Sequence, residues 1–299
     1  MFKLSSLWKF SRPHTVIGTS LSVFAIYFIA IATTNTAITY LNLIQLLGVW
    51  VACLFGNIYI VGLNQLVDVE IDKINKPHLP LAAGEFSQSK GQLIVIICGL
   101  FALILAGLLG FWLFTTVIIS LIIGTAYSLP PIRLKRFPFL AALCIFTVRG
   151  VIVNLGLFLH FTQQLTGQEF LNLSVWILTL FILVFTVAIA IFKDVPDLEG
   201  DQKYQINTFT IILGKKAVFN ISLWVITIGY LAIIIETYFL RFSVNYLWLL
   251  VGHLGLLGLL WWRSQNVNLE QKSEVASFYQ FIWKLFFLEY LLFPSAFFI

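Results

Sequence analysis

Gln92–Leu109, QLIVIICGLFALILAGLL, and Phe111–Ser128, FWLFTTVIISLIIGTAYS, flank Gly110, and no charged residue interrupts either run. At ~1.5 Å of rise per residue, a helix of about 20 residues crosses ~30 Å of hydrocarbon, so each run is long enough to span a bilayer. Further apolar runs lie near residues 16–33, 40–63, 139–160, 173–192, 217–238, 245–262 and 278–298. The pattern predicts an all-α, polytopic membrane protein of about nine transmembrane helices. Eight or ten are compatible with it, because Gly110 is the only obvious break between the third and fourth runs. Composition agrees: 60% of the 299 residues are hydrophobic and 10% are charged, where soluble domains carry roughly 25% charge.

The basic residues follow this topology. Lys3, Lys9 and Arg12 precede the first run; Lys73, Lys76 and Lys90, then Arg133, Lys135 and Arg136, then Lys193, Lys203, Lys215 and Lys216, then Arg263, Lys272 and Lys284 fall on the same face. That places 16 of 18 basic residues on one side. By the positive-inside rule this side, with the N-terminus, is cytoplasmic or its organellar equivalent; the expected location is a plasma or thylakoid-type membrane. The net charge of +5 therefore reports topology rather than nucleic-acid binding. Arg241 is expected on the opposite face, and Arg149 is read as the only basic residue inside an apolar run. Cys53, Cys98 and Cys144 all fall inside such runs, which predicts buried thiols and no disulfide framework. The first run is too long for a signal peptide and is read as a retained span, with no transit peptide before it.

Of 13 acidic residues, eight fall in two short stretches: Asp68, Glu70, Asp72 and Glu85, then Asp194, Asp197, Glu199 and Asp201. A charge at the bilayer centre costs about 2.5–3.5 kcal/mol, so these must face water, cations or a polar cavity. Asp68-Val-Glu-Ile-Asp72 and Asp197-Leu-Glu-Gly-Asp201 look like weak internal repeats within a single intramembrane domain over 1–299, with halves 16–138 and 139–263 and a last span 278–298.

Asn64, Asp68 and Asp72 recur every four residues, which places them on one stripe of a continuous helix at ~100° per residue. An amide with two carboxylates, and no His or Cys beside them, is an oxygen-donor set suited to Mg²⁺ rather than Zn²⁺. These acids occupy the C-terminal end of an apolar run, where the helix dipole disfavours them, so a solvated helix end explains them poorly. In the second stretch Asp194, Asp197 and Asp201 gather around Pro196 and Gly200, and carboxylates this close raise one another's pKa unless cations compensate. Between the stretches, Tyr127-Ser-Leu-Pro-Pro-Ile-Arg133-Leu-Lys135-Arg136 is a basic turn. It is either a topological loop or a phosphate clamp, with Tyr127, Arg133, Lys135 and Arg136 joined by Lys76 and Lys193. Carboxylates, Mg²⁺ and lysines together describe a diphosphate site. Arg149 is expected near mid-membrane, either locking helices or facing a cavity to bind an acceptor. His160, 11 positions later, would lie on the same helical stripe.

On these residues the chain resembles the UbiA superfamily of intramembrane prenyltransferases, along its whole length. The resemblance implies a nine-helix bundle around a central chamber opening to lipid, with Mg²⁺ held by Asn64, Asp68, Asp72, Asp194, Asp197 and Asp201. It also implies ionisation of a prenyl diphosphate to an allylic cation that an aromatic acceptor attacks. Phe10-Ser-Arg-Pro-His-Thr15, Asn64-Gln65, Asn75-Lys-Pro77, Leu81-Ala-Ala-Gly84 and Val148-Arg-Gly150 are most similar to homogentisate prenyltransferases, especially the phytyltransferases. Phytyl diphosphate and homogentisate are then the implied substrates, and 2-methyl-6-phytyl-1,4-benzoquinol, formed with loss of carbon dioxide, the implied product. Geranylgeranyl and solanesyl donors are alternatives. So are 4-hydroxybenzoate and chlorophyll-type acceptors, although those enzymes typically begin the first motif Asn-Asp where this chain has Asn64-Gln65. A cation-coupled transporter, the reading from another class, would place its charges at the bilayer midplane.

Overall fold

The computed structural model describes residues 4–204 and 206–299, and Lys3 lies outside them. Among the described residues nine helices are long and apolar enough to cross a membrane: Pro13–Thr34, Tyr40–Val67, Gln88–Leu109, Phe111–Ser128, Pro138–Thr166, Leu173–Phe192, Lys215–Leu240, Tyr246–Ser264 and Lys272–Ser295. Local chemistry sets their starts. Pro13 and Pro138 occupy first-turn positions, where a missing N–H costs nothing. The side chains of Thr39, Ser87, Asn172 and Asn245 each accept a hydrogen bond from a first-turn N–H. Gly110, at φ 148°, separates the third span from the fourth with a conformation that side-chain-bearing residues rarely adopt.

The sixth span lies at the centre, and its Phe181, Phe185 and Phe192 are enclosed by Tyr230, Phe278 and Phe286. The third span instead presents Leu93, Leu100, Ile104 and Leu108 outwards, a lipid-facing stripe. The fifth and sixth spans touch backbone to backbone at Gly150, where an added Cβ would come within 2.9 Å of Leu183 Cα.

Three expectations need correction. The last span begins at Lys272, not near 278, because its first turn carries Lys272 and Glu274 at the water boundary. Lys284 lies inside that span with either start, exposed on its outer surface, so Arg149 is not the only basic residue within a span. His160 does not share Arg149's face. The fifth helix changes from α to π geometry over Thr147–Ile152, which slips the helical phase between the two residues. The His160 ring packs against Phe161 near Gly110, fully buried. One ionisable pair is enclosed within the bundle, His253 Nε2 and Glu289 Oε2 at 3.1 Å, joining the eighth and ninth spans.

Candidate active site

Both acidic segments lie where a span ends. The second span stops at Val67, Asp68 adopts φ −105° and ψ 18°, and the short helix Val69–Asn75 follows. The expected uninterrupted stripe is therefore two helices meeting at its middle residue. Backbone bonds bridge the junction, from Asp68 N–H to the Asn64 carbonyl at 3.1 Å and from Asp72 N–H to the Asp68 carbonyl at 2.8 Å. Asn64, Asp68 and Asp72 consequently still line one cavity. The junction also reverses the expected dipole penalty, because Glu70 and Asp72 occupy the first turn of the new helix. After the sixth span the construction recurs: Asp197 precedes the helix Leu198–Lys203, whose first turn carries Glu199 and Asp201.

A polar cavity of about 110 Å³ gathers Asn64, Asp68, Asp72, Asp194, Asp197 and Asp201 with Lys76, Tyr127, Lys135 and Lys193. Lys135 pairs with Asp68 Oδ2, and Lys76 with Asp197 Oδ2. Arg133 Nη2 reaches Asp68 Oδ1 at 3.1 Å, and Lys193 Nζ reaches Asp194 Oδ1 at 2.5 Å. Arg136 stands apart, exposed and lining neither cavity.

Burial governs the charge states. It pushes the Asp72 carboxyl up to about 6 against the opposing pull of Lys76 and Arg12. It pushes Asp201 up to about 7, helped by Asp194 and Asp197. Lys135 is lowered to about 8 by burial, although Asp68 opposes the shift. At Lys193 burial works against the charge, but the adjoining Asp194 more than offsets it and holds the ammonium well above the ordinary range.

Two residues outside the expected set complete the site. Asn75 joins the segments: its Oδ1 accepts from Gly200 N–H at 2.9 Å and its Nδ2 donates to Asp201 Oδ1 at 3.4 Å. Arg12, in a left-handed conformation at φ 54°, lines the polar cavity just before the first span. Each stood in a sequence segment that carried the resemblance, but neither has a spacing that marks it as a site residue.

Among the described residues no three His, Cys, Asp or Glu side chains are grouped so as to hold a metal ion by themselves. The donor set nevertheless suits Mg²⁺, which commonly takes one or two carboxylates and completes its shell with water and substrate phosphates. Asp72 Oδ2 is buried without a hydrogen-bond partner, an orphaned acceptor that a cation would satisfy.

Beyond the polar cavity lies a larger one of about 280 Å³, lined by the first, second, fourth, fifth, sixth and ninth spans. Arg12, Asn64, Tyr127 and Lys193 line both, so the charged end and the chamber share a collar. Arg149 lines the chamber, with its guanidinium carbon 5.0 Å from the Trp283 ring centroid and 5.8 Å from that of Phe286. It makes no hydrogen bond or ion pair among the described residues. Apart from Arg149, the charged side chains on the chamber lining gather at the collar, an arrangement that suits a substrate with an anionic head and a hydrocarbon tail.

The chain is 58% identical to homogentisate phytyltransferase from Synechocystis sp., with the match covering 99% of this chain and 96% of that one. It is 43% identical to homogentisate phytyltransferase 1, chloroplastic, from Arabidopsis thaliana, over 97% of this chain and 75% of that one. The fold is similar to that of a UbiA homolog from Archaeoglobus fulgidus bound to GPP and Mg²⁺, with a TM-score of 0.65, 16% identity, and coverage of 97% of this chain and 99% of that one. The signature of the UbiA prenyltransferase family matches residues 20–285, nearly the whole bundle with both acidic segments, and the chain belongs to that family.

Proposed function

We propose that this prenyltransferase moves a phytyl group from phytyl diphosphate to homogentisate with loss of carbon dioxide, giving 2-methyl-6-phytyl-1,4-benzoquinol. The observation that carries this reading is the 58% identity to a homogentisate phytyltransferase across 99% of the chain. The site is consistent with it. Lys76, Lys135, Lys193 and Arg133 would bind the diphosphate oxygens, and Lys76 and Lys135 would exchange their carboxylate partners for the substrate's phosphates. Mg²⁺, held by Asn64 and the five aspartates, would neutralise charge developing on the leaving diphosphate. The chamber walls would exclude water from the allylic cation, and Trp283 and Tyr279, which line the chamber, would offer it aromatic surface. Arg149, an unpaired cation set deep in the chamber wall, binds the homogentisate carboxylate. The basic, site-bearing face lies towards the cytoplasm or its organellar equivalent.

The test is product mass. Purified protein in lipid, given Mg²⁺, homogentisate and an equimolar mixture of phytyl, geranylgeranyl and solanesyl diphosphates, is expected to yield mainly the phytyl benzoquinol. A dominant geranylgeranyl or solanesyl product would overturn the donor assignment. No product with homogentisate, but turnover with another phenol, would overturn the acceptor.

A further inference from the structure

The reaction proposed above contains a proton transfer that none of the residues placed so far performs. Prenylation forms a C–C bond at a ring carbon that must then lose its hydrogen as a proton. Decarboxylation breaks the bond to carbon dioxide, and the electron pair left on the benzylic carbon must take a proton up. One proton leaves the ring and one enters the methyl group, so the reaction balances without an outside acid if a single base carries it between them.

The chamber offers one such base. Its titratable lining consists of Arg12, Lys193 and Arg149, which are cations; Tyr127, Tyr279, Tyr290, Cys53 and Cys144, which are weak acids; and His14. Only the imidazole can accept a proton as a neutral group and return it. His14 is one residue into the first span, on the wall that continues through Gly18, and an added Cβ at Gly18 would sit 3.1 Å from Arg149 Nη1. The indole of Trp283 touches both residues: its centroid is 5.0 Å from that of the His14 ring and 5.0 Å from the Arg149 guanidinium carbon. His14 makes no hydrogen bond among the described residues, so its ring nitrogens are not committed to the fold. A ring held beside Trp283, with its carboxylate at Arg149, lies within reach of the imidazole.

We propose that His14 is the catalytic proton carrier: it takes the proton from the prenylated ring carbon, restoring aromaticity, and gives it to the benzylic carbon as carbon dioxide departs. The inference rests on the homogentisate reading. The rival base is the released diphosphate, on the other side of the collar.

Deuterium on the homogentisate ring follows the proton, with the wild-type protein and His14→Gln and His14→Asn compared in ordinary water. Wild type is expected to place ring-derived deuterium in the product methyl group. Both variants, monodisperse in detergent with wild-type melting behaviour, are expected to turn over on the order of 100-fold more slowly, with methyl hydrogen drawn from water. Retention of methyl deuterium by the variants, whatever their rate, would overturn the proposal and point to diphosphate. So would a wild-type product whose methyl hydrogen comes wholly from water, an outcome that needs no variant to fold. If wild type makes no product from homogentisate, both the functional reading and this inference fall; the labelling outcomes overturn the inference alone.

Discussion

The side-chain oxygen of Asn75 accepts the backbone N–H of Gly200 at 2.9 Å, linking two acidic segments that are 125 residues apart in the chain. Any side chain at 200 would intrude, because an added Cβ would come within 2.4 Å of Asn75 Oδ1. Gly200→Ala and Asn75→Ala should each lower kcat/KM by about 10–100-fold, since misplacing reacting groups is costly even when all of them remain. Wild-type kinetics in either variant would mean that the link does not set the spacing of the segments.

Asp68→Ala and Asp197→Ala each delete the carboxylate of one segment's lysine pair and a proposed metal ligand. Turnover is expected to fall by more than ~100-fold in both, and excess Mg²⁺ should not restore it. Retention of more than about a tenth of wild-type activity, a loss under ~1.4 kcal/mol, would rule out the two-segment metal site.

Lys135 and Arg241 separate site charge from surface charge. Lys135 is largely enclosed and paired, whereas Arg241 is exposed and stacks on Tyr238 and Phe242 at the other end of the bundle. Lys135→Ala should reduce kcat/KM for the prenyl diphosphate by about 10–100-fold, and Arg241→Ala should change it less than about twofold. Equal effects would return the basic turn to a purely topological role.

Arg149→Leu should raise the homogentisate KM by about tenfold or more while leaving the donor KM within about twofold. Unchanged acceptor kinetics in a folded variant would remove Arg149 from the acceptor site and leave it as a packing cation over Trp283 and Phe286.

Metal affinity should follow pH. Asp72 and Asp201 lie at about 6 and about 7, above the ordinary carboxylate range, so their ionisation works against the metal-free fold. Their stabilising contribution is present at low pH and is lost as pH rises through these values. A cation competes with those protons, so the rise in Tm produced by saturating Mg²⁺ should grow between pH 6 and pH 8. A shift in Tm that does not vary over that range would detach these carboxylates from the metal.

Sequence reading succeeds here wherever a property is summed over a long segment. Nine apolar runs gave nine spans among the described residues because a bilayer accepts little else, and two acidic stretches stood out because acid is scarce in the chain. The scale of the site was also legible, since all six proposed ligands line one cavity. What escaped was set by single residues and by contacts distant in sequence. The helix ends at Asp68 instead of running through it, and Asn75 reaches across to Gly200. The His253–Glu289 pair was invisible because each residue alone interrupts an apolar run only once; their partnership exists only after the eighth and ninth spans pack.

The π-helical turn at Thr147–Ile152 leaves the length and apolarity of the fifth span intact. Insertion into a membrane depends on those two quantities and is insensitive to the rotational phase of a helix. On the acceptor role proposed for Arg149, catalysis depends on phase, because the turn fixes how this residue is aimed relative to the following half of the helix. This span therefore answers to two separate filters. The apparatus that places it in the bilayer could not distinguish it from a regular α-helix of the same composition, whereas the backbone contact at Gly150 and the aim of Arg149 both register the phase slip.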